Sequence, residues 1–176
     1  MAGTPARHRE EAGAHVNIWT ERLERGHLPL LGRWLGRADA ALTPNDLPAE
    51  AVELEAWFER CAAEPGRLDF LTLVYETPVG LATLRPGGED GSAALELLLG
   101  ERNYNPLRTA TYVALRMLDR TFLECGFRRV SVQAFTRHAW LLEPLERMGF
   151  SRTAEQGDRI CLTVEKDCYL SRKYLF

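Results

Sequence analysis

The chain has 176 residues, which by ordinary domain size makes one domain. Its 22 basic and 25 acidic side chains leave a formal charge of −3, which excludes a nucleic-acid binder that works through a basic excess. With 45% hydrophobic and 27% charged residues, and no apolar run near the roughly 20 residues that span a bilayer, the composition predicts a globular chain with a core and no membrane partner.

Residues 1–14 are small and polar and read as a flexible arm ahead of a domain over 15–176. Met1–Glu11 holds Arg7, Arg9, Glu10 and Glu11 but no apolar stretch of a secretory signal, so the expected compartment is the cytoplasm. His15–Thr20 alternates and predicts a first strand. After Gly26, Leu28, Leu31 and Leu35 share one helical face. A loop at Thr43–Pro48 leads into a second helix, with Leu54, Trp57, Phe58 and Cys61 at i, i+3, i+4 and i+7, stopped by Pro65-Gly66.

Three strands follow, Leu68–Tyr75, Val79–Arg85 and Ala93–Leu99, the first two close enough for a hairpin. The strongest helical period is Thr109–Glu124, with Ala110, Val113, Ala114, Met117, Leu118, Thr121 and Phe122 inward and Gly126 as its cap. A fifth strand carries Val130, Val132 and Ala134. A helix over Ala139–Met148 contains Pro144, which predicts a kink or a shifted start. Strands at Ile160–Val164 and Cys168–Leu175 complete the order βααβββαβαββ, an α/β (α+β) domain. Cys61, Cys125, Cys161 and Cys168 form no C-x-x-C pair and have no histidine pair at ligand spacing, so free thiols and no metal are expected.

The segment with chemical content is a strand, a turn and a long helix: Ala93–Gly100, Glu101–Arg108 and Thr109–Glu124. A strand feeding a helix N-terminus gathers free N–H groups and the positive end of the dipole, a place for an anion such as phosphate. A plain βα connection has the same spacing, and without a glycine-rich loop the pattern does not separate the two.

Gly100-Glu101-Arg102-Asn103-Tyr104-Asn105-Pro106-Leu107-Arg108-Thr109-Ala110-Thr111 resembles the acetyl-CoA segment G-E-R-E-Y-W-G-K-G-Y-G-T of the GNAT N-acetyltransferase superfamily. Arg137–Phe150 resembles that family's D-N-x-x-A-I-x-L-Y-E-K-L-G-F helix, and Trp19–Leu23 with His27–Leu35 resembles its T-E-R-L strand and first helix. The match runs through residues 16–175 and is nearest to the branch of ribosomal-protein N-terminal and aminoglycoside acetyltransferases. It implies a mostly antiparallel mixed sheet splayed between strands 4 and 5. It also implies acetyl-CoA as co-substrate and acyl transfer to the primary amine of a small molecule or peptide N-terminus by a monomer or homodimer.

The same resemblance places the site. The backbone of Leu97, Leu98 and Leu99 would meet the thioester. Asn105, Leu107, Arg108, Thr109, Ala110 and Thr111 would form the diphosphate turn, and His138 and Trp140 would contact the cofactor. Glu96, on the face of its strand shared with Ala94 and Leu98, is the candidate general base, and Tyr104 the candidate acid. Tyr112 and Tyr169 are weaker candidates for cofactor and acceptor contacts.

Two departures stand out. The family's Q/R-x-x-G-x-G/A loop is Asn105-Pro106-Leu107-Arg108-Thr109-Ala110, where Arg108 replaces the glycine that lets backbone approach phosphate. An Asn105-Pro106 cap would also start the helix a turn early, in the space of the diphosphate. The family's thiolate-protonating tyrosine aligns with Leu145, which transfers no proton. These changes leave three readings: an amine acetyltransferase, an acyltransferase using another acyl donor, or a binding module of the same fold without turnover.

Overall fold

Seven strands form one sheet in the order β1-β2-β3-β4-β5-β7-β6. They are β1 (Ile18–Arg22), β2 (Leu68–Val74), β3 (Thr77–Pro86), β4 (Ser92–Leu99), β5 (Arg129–Phe135), β6 (Ser151–Gln156) and β7 (Arg159–Glu165). The helices are α1 (Leu28–Trp34), α2 (Leu54–Ala63), α3 (Pro106–Asp119), α4 (Leu142–Arg147) and α5 (Lys166–Arg172). This computed structural model describes residues 17–176 except 38, 39, 90, 102 and 103. The arm expected over 1–14, and the first two residues of the predicted first strand, lie outside the described residues.

Neighbouring strands are antiparallel except β4 and β5, which are joined through α3 and run parallel. A parallel neighbour needs a crossover of this kind, and the helix lies over the sheet that it bridges. The β4–β5 ladder ends at Leu95–Val132, while β4 runs on to Leu99 and β5 to Phe135. The sheet is therefore open beyond that pair, as the resemblance implies.

Alternation along β4 divides the core in two. Ala93, Leu95, Leu97 and Leu99 pack with Ala110, Val113, Met117 and Phe122 of α3 and its last turn. Leu98 packs on the opposite face with Leu71, Leu81, Trp34 and Trp57, beneath α1 and α2. Both clusters bury large apolar area, the dominant favourable contribution to folding.

Three local predictions are corrected. The long helix starts at Pro106, three residues before the predicted Thr109, because the Asn105 side chain accepts from the Arg108 N–H at 3.0 Å and Pro106 suits the first helical position. It closes with a π turn over Arg120–Glu124, where Cys125 N–H donates to the Arg120 carbonyl at 2.9 Å. The helix expected over Ala139–Met148 is a 3₁₀ stretch, Thr136–Leu141, followed by α4, so Pro144 falls in a first turn that needs no N–H.

The third correction is at the C-terminus. The last two strands are β6 and β7, and Cys168–Leu175 is helical rather than extended. Every β6 side chain is exposed, so no apolar alternation marks it. Backbone pairing with β7 across a turn at Gly157 (φ +59°) holds it in place. Tyr169 is fully buried in α5, and its hydroxyl bonds the Leu115 carbonyl and Asp119 Oδ1, each at 3.1 Å. It borders no acceptor pocket. Burial, reinforced by the Asp119 charge, pushes its phenol far above the ordinary range.

Met117 is completely buried between α3 and the sheet. Met117→Ala is expected to cost about 2–5 kcal/mol of unfolding free energy. Urea denaturation measures it, and a loss below about 1 kcal/mol would mean that the helix–sheet contact is not the main core.

Candidate functional site

The divergence of β4 and β5 leaves cavities beside β4. On the α1/α2 side a cavity of about 310 Å³ is lined by Asp46, Arg85, Ala94, Glu96, Gln133 and Arg159, among others. A second, of about 390 Å³, lies at the C-terminal end of β4 and holds Arg37, Leu99, Tyr104, Pro106, His138 and Trp140. The two candidate catalytic residues, Glu96 and Tyr104, therefore line different cavities.

A buried charge network built on β2 and β3 supports Glu96. Arg67 and Asp69 sit two residues apart and point the same way. Arg67 Nε and Nη2 donate to Asp69 at 2.9 and 3.1 Å, and Thr83 Oγ1 donates to Asp69 Oδ1 at 2.6 Å from the directly opposite position on β3. The same guanidinium bonds both oxygens of Asp46, at 2.7 and 3.0 Å, and Glu64 at 3.1 Å, with the Trp57 ring 5.5 Å away. Trp57 Nε1 donates to Asp46 at 3.2 Å.

Arg85, two residues along β3 from Thr83, lies 2.7 Å from Asp46 and 3.4 Å from Glu96 Oε1. Burial pushes the Asp46 carboxyl up, but the hydrogen bonds from Arg67, Trp57 and Arg85 outweigh it and hold the group well below the usual carboxylate range. Glu96 has the opposite balance. Burial raises it to about 7, against a smaller downward pull from Arg85. Its Oε2 is buried and has no hydrogen-bond partner among the described residues. A carboxyl of this kind exchanges a proton near neutral pH.

The backbone of β4 beyond Leu95 differs from the expectation. Leu97, Leu98 and Leu99 do not present open amides to a thioester, because the α1–α2 connection crosses the strand there. Ala41 bridges Leu98. Leu97 N–H donates to Thr43 Oγ1 at 2.8 Å, its carbonyl accepts from Leu42 and Thr43, and Leu99 N–H donates to the Ala40 carbonyl at 2.7 Å. The same connection clasps the strand end. Trp34 lies against Gly100 where a Cβ would meet its ring at 1.9 Å, its Nε1 donates to Glu101 at 3.0 Å, and Arg37 bonds the Gly100 carbonyl.

At the turn, Leu107 and Arg108 are exposed, and the Arg108 guanidinium lies 5.8 Å from the Tyr112 ring centroid. Thr109 and Ala110 are buried. The hydroxyl of Thr111 is committed to the Leu107 carbonyl at 2.7 Å. Asn105 is exposed and acts as the helix cap. His138 is buried in a non-helical conformation between Phe135 and Trp140, at ring distances of 6.3 and 5.8 Å. Leu145 is wholly within the core.

The residues suit an acyl-CoA in two respects. The cavity beside β4 has an apolar wall (Leu42, Leu99 and Trp140) for a pantetheine arm, and it opens at the first turn of the 14-residue α3, with Pro106 in its lining and Arg108 nearby. Asp46, Arg67, Arg85, Gln133 and Arg159 were not legible as site residues. The signal that points to the network is the polar pair Arg67 and Asp69 in an apolar strand, at the even spacing that puts both on one face.

A seven-stranded sheet opened between parallel β4 and β5, with α3 crossing over the gap, is the fold of the GNAT N-acetyltransferases. Among the solved structures to which this chain is similar is spermidine N-acetyltransferase SpeG from Vibrio cholerae. Its complex with CoA and spermine matches at TM-score 0.74 and 16% identity, covering 87% of this chain and 98% of that one. A dodecameric form in an intermediate state matches at TM-score 0.73 and 16% identity, covering 88% and 97%. No protein-family model and no curated protein sequence matches the chain. Among the described residues no helix is long and apolar enough to cross a membrane.

Arg67 is the test of the network. Arg67→Ala leaves Asp69 buried without its cation, and an expected loss of about 3–5 kcal/mol follows from breaking a buried pair on one side. Chemical denaturation of the variant measures it. A loss under about 1 kcal/mol would assign the support of Glu96 to Arg85 alone.

Proposed function

We propose that the protein is an acyl-CoA-dependent N-acyltransferase that acetylates a primary amine by direct transfer. The observation that carries this reading is Glu96, a partly exposed carboxyl with one buried and unpartnered oxygen, in a cavity at the opening between β4 and β5. The likeness to a fold solved with CoA and an amine supports it.

Acetyl-CoA supplies an activated acyl group on a good leaving group. Glu96 takes a proton from the acceptor's ammonium and leaves an amine lone pair free to bond the acyl carbon as the C–S bond breaks. Arg85, 3.4 Å away, keeps the carboxylate available as it charges. Tyr104, on the cofactor side, carries the proton returned to the departing thiolate, since Leu145 in the family's tyrosine position carries none. His138 and Trp140 wall the pantetheine arm, and Arg108 with the first turn of α3 meets the phosphates.

A binding module without turnover is the second reading. It is favoured by the occupied amides of Leu97 and Leu99 and by Asn105 taking the Arg108 N–H. Under it, positioning for acyl transfer is absent even though the pocket remains.

Titration calorimetry with acetyl-CoA separates the two readings, together with a rate profile in an amine panel. Activity requires ionised Glu96, so the rate is expected to rise with pH through an apparent pKa near 7 and to level off above it. In Glu96→Gln that step disappears and turnover falls by roughly 100-fold or more while acetyl-CoA still binds. A variant as fast as the parent removes the base, and absence of both binding and turnover favours the module.

Arg108→Ala is expected to weaken acetyl-CoA binding about tenfold and to flatten its dependence on salt, because a charge-assisted hydrogen bond contributes roughly 1.5–3 kcal/mol. Unchanged affinity at low salt would leave the phosphates to the helix backbone alone.

A further inference from the structure

The charges lining the Glu96 cavity select among amines. We infer that the acceptor is a small molecule carrying both a primary amine and a carboxylate, of amino-acid or dipeptide size, with Arg159 pairing the carboxylate and Glu96 receiving the amine. This rests on the acyl-transfer reading of the same site and adds the class of acceptor.

Two acids and two guanidiniums line this cavity: Asp46, Glu96, Arg85 and Arg159. Asp46 is consumed by Arg67, Trp57 and Arg85. The charge of Arg85 is offset by Asp46 at 2.7 Å, with Glu96 and Glu64 at 3.4 and 3.8 Å, although its buried Nε and Nη2 make no well-formed hydrogen bond. The remainder is one carboxylate oxygen, Glu96 Oε2, and one guanidinium whose charge no close carboxylate offsets among the described residues, that of Arg159. The one ion pair of Arg159 among the described residues is to Asp158, at 3.9 Å, with both side chains at least half exposed. Contacts of that length on a surface contribute little.

Strand register puts these groups on one face. Ala94 is level with Ser131, which is level with Thr163, and Glu96 follows two residues on from Ala94. Gln133 is level with Cys161, and Arg159 lies two residues further toward the opening, opposite Phe135. Strand spacing and rise place the Glu96 and Arg159 backbones at least about 12 Å apart. A glutamate and an arginine side chain reaching inward take up part of that span, and the volume of the cavity limits the rest. At about 310 Å³ the cavity sits at the small end of ligand sites.

A polyamine fits this charge set poorly. Its first ammonium takes Glu96, and the next would meet Arg85 and Arg159, like charges with no carboxylate left to offset them. A ligand with one charge of each sign leaves neither Glu96 nor Arg159 uncompensated. Gln133, on the same face of β5, adds an amide donor for the carboxylate.

The test compares glycylglycine, glycylglycine amide and spermidine as acceptors, reading CoA release from acetyl-CoA. The dipeptide is expected to exceed its amide by about tenfold or more in kcat/KM, the effect of one charge-assisted contact. Arg159→Gln should bring that ratio close to one and Arg159→Lys should restore part of it. Equal rates for dipeptide and amide, a better rate for spermidine, or a ratio unmoved in Arg159→Gln would overturn the proposal and leave acyl transfer standing. If no amine is acetylated, NMR titration with the same dipeptide and amide decides. A carboxylate preference that depends on Arg159 keeps the site without the acyl-transfer reading, and no preference overturns the site.

Discussion

The end of the β4–β5 ladder at Leu95–Val132 is the constraint on which the rest of the molecule depends. Four registered pairs hold the two strands parallel, and beyond them no backbone partner joins β4 to β5. A sheet that stops pairing within its interior leaves polar groups that must be satisfied some other way. Here the segment Ala40–Thr43 takes the amides of Leu97 and Leu99. The opening creates the cavities, and the α1–α2 connection that satisfies the strand also becomes a wall of the site.

Electrostatics in that wall follows from the same geometry. Asp46 arrives on the α1–α2 connection, Arg67 just ahead of β2 with Asp69 in it, and Thr83 and Arg85 on β3, so three separate stretches of chain meet around one guanidinium. Arg67 satisfies two carboxylates at once through its forked donors, a geometry that lysine cannot reproduce. With Asp46 and Asp69 neutralised there, Arg85 is divided among Asp46, Glu64 and Glu96. Desolvation of Glu96 then outweighs the pull of Arg85 and Arg67, which is why this carboxyl titrates near neutrality and Asp46 does not.

At the start of α3, Asn105 and Pro106 have extended the helix backward into the turn where the GNAT pattern has a glycine loop. The cap stabilises the helix and consumes the Arg108 N–H. A cationic side chain at that residue attracts an anion over a longer range than a backbone donor does. Leu145 is in the core and Tyr104 stands on a cavity wall.

Periodicity in the sequence determined most of the elements and their order. The 3.6-residue face of α3 and the alternation in β2 to β5 are short-range properties that the chain carries wherever it lies. Glu96 was legible for the same reason, a polar residue breaking an apolar alternation. Strand β6 and the helical end at Cys168–Leu175 were not. One has no apolar face at all, and the other alternates through Tyr169, whose burial against α3 is a tertiary contact. The resemblance between residues 16 and 175 gave the splay but not what fills it. Which groups surround Glu96, and which cation is left over at Arg159, depended on bringing residues 46, 67, 85 and 159 together. Local spacing does not encode contacts between residues so far apart in the chain, and only the folded sheet, by its register, decides them.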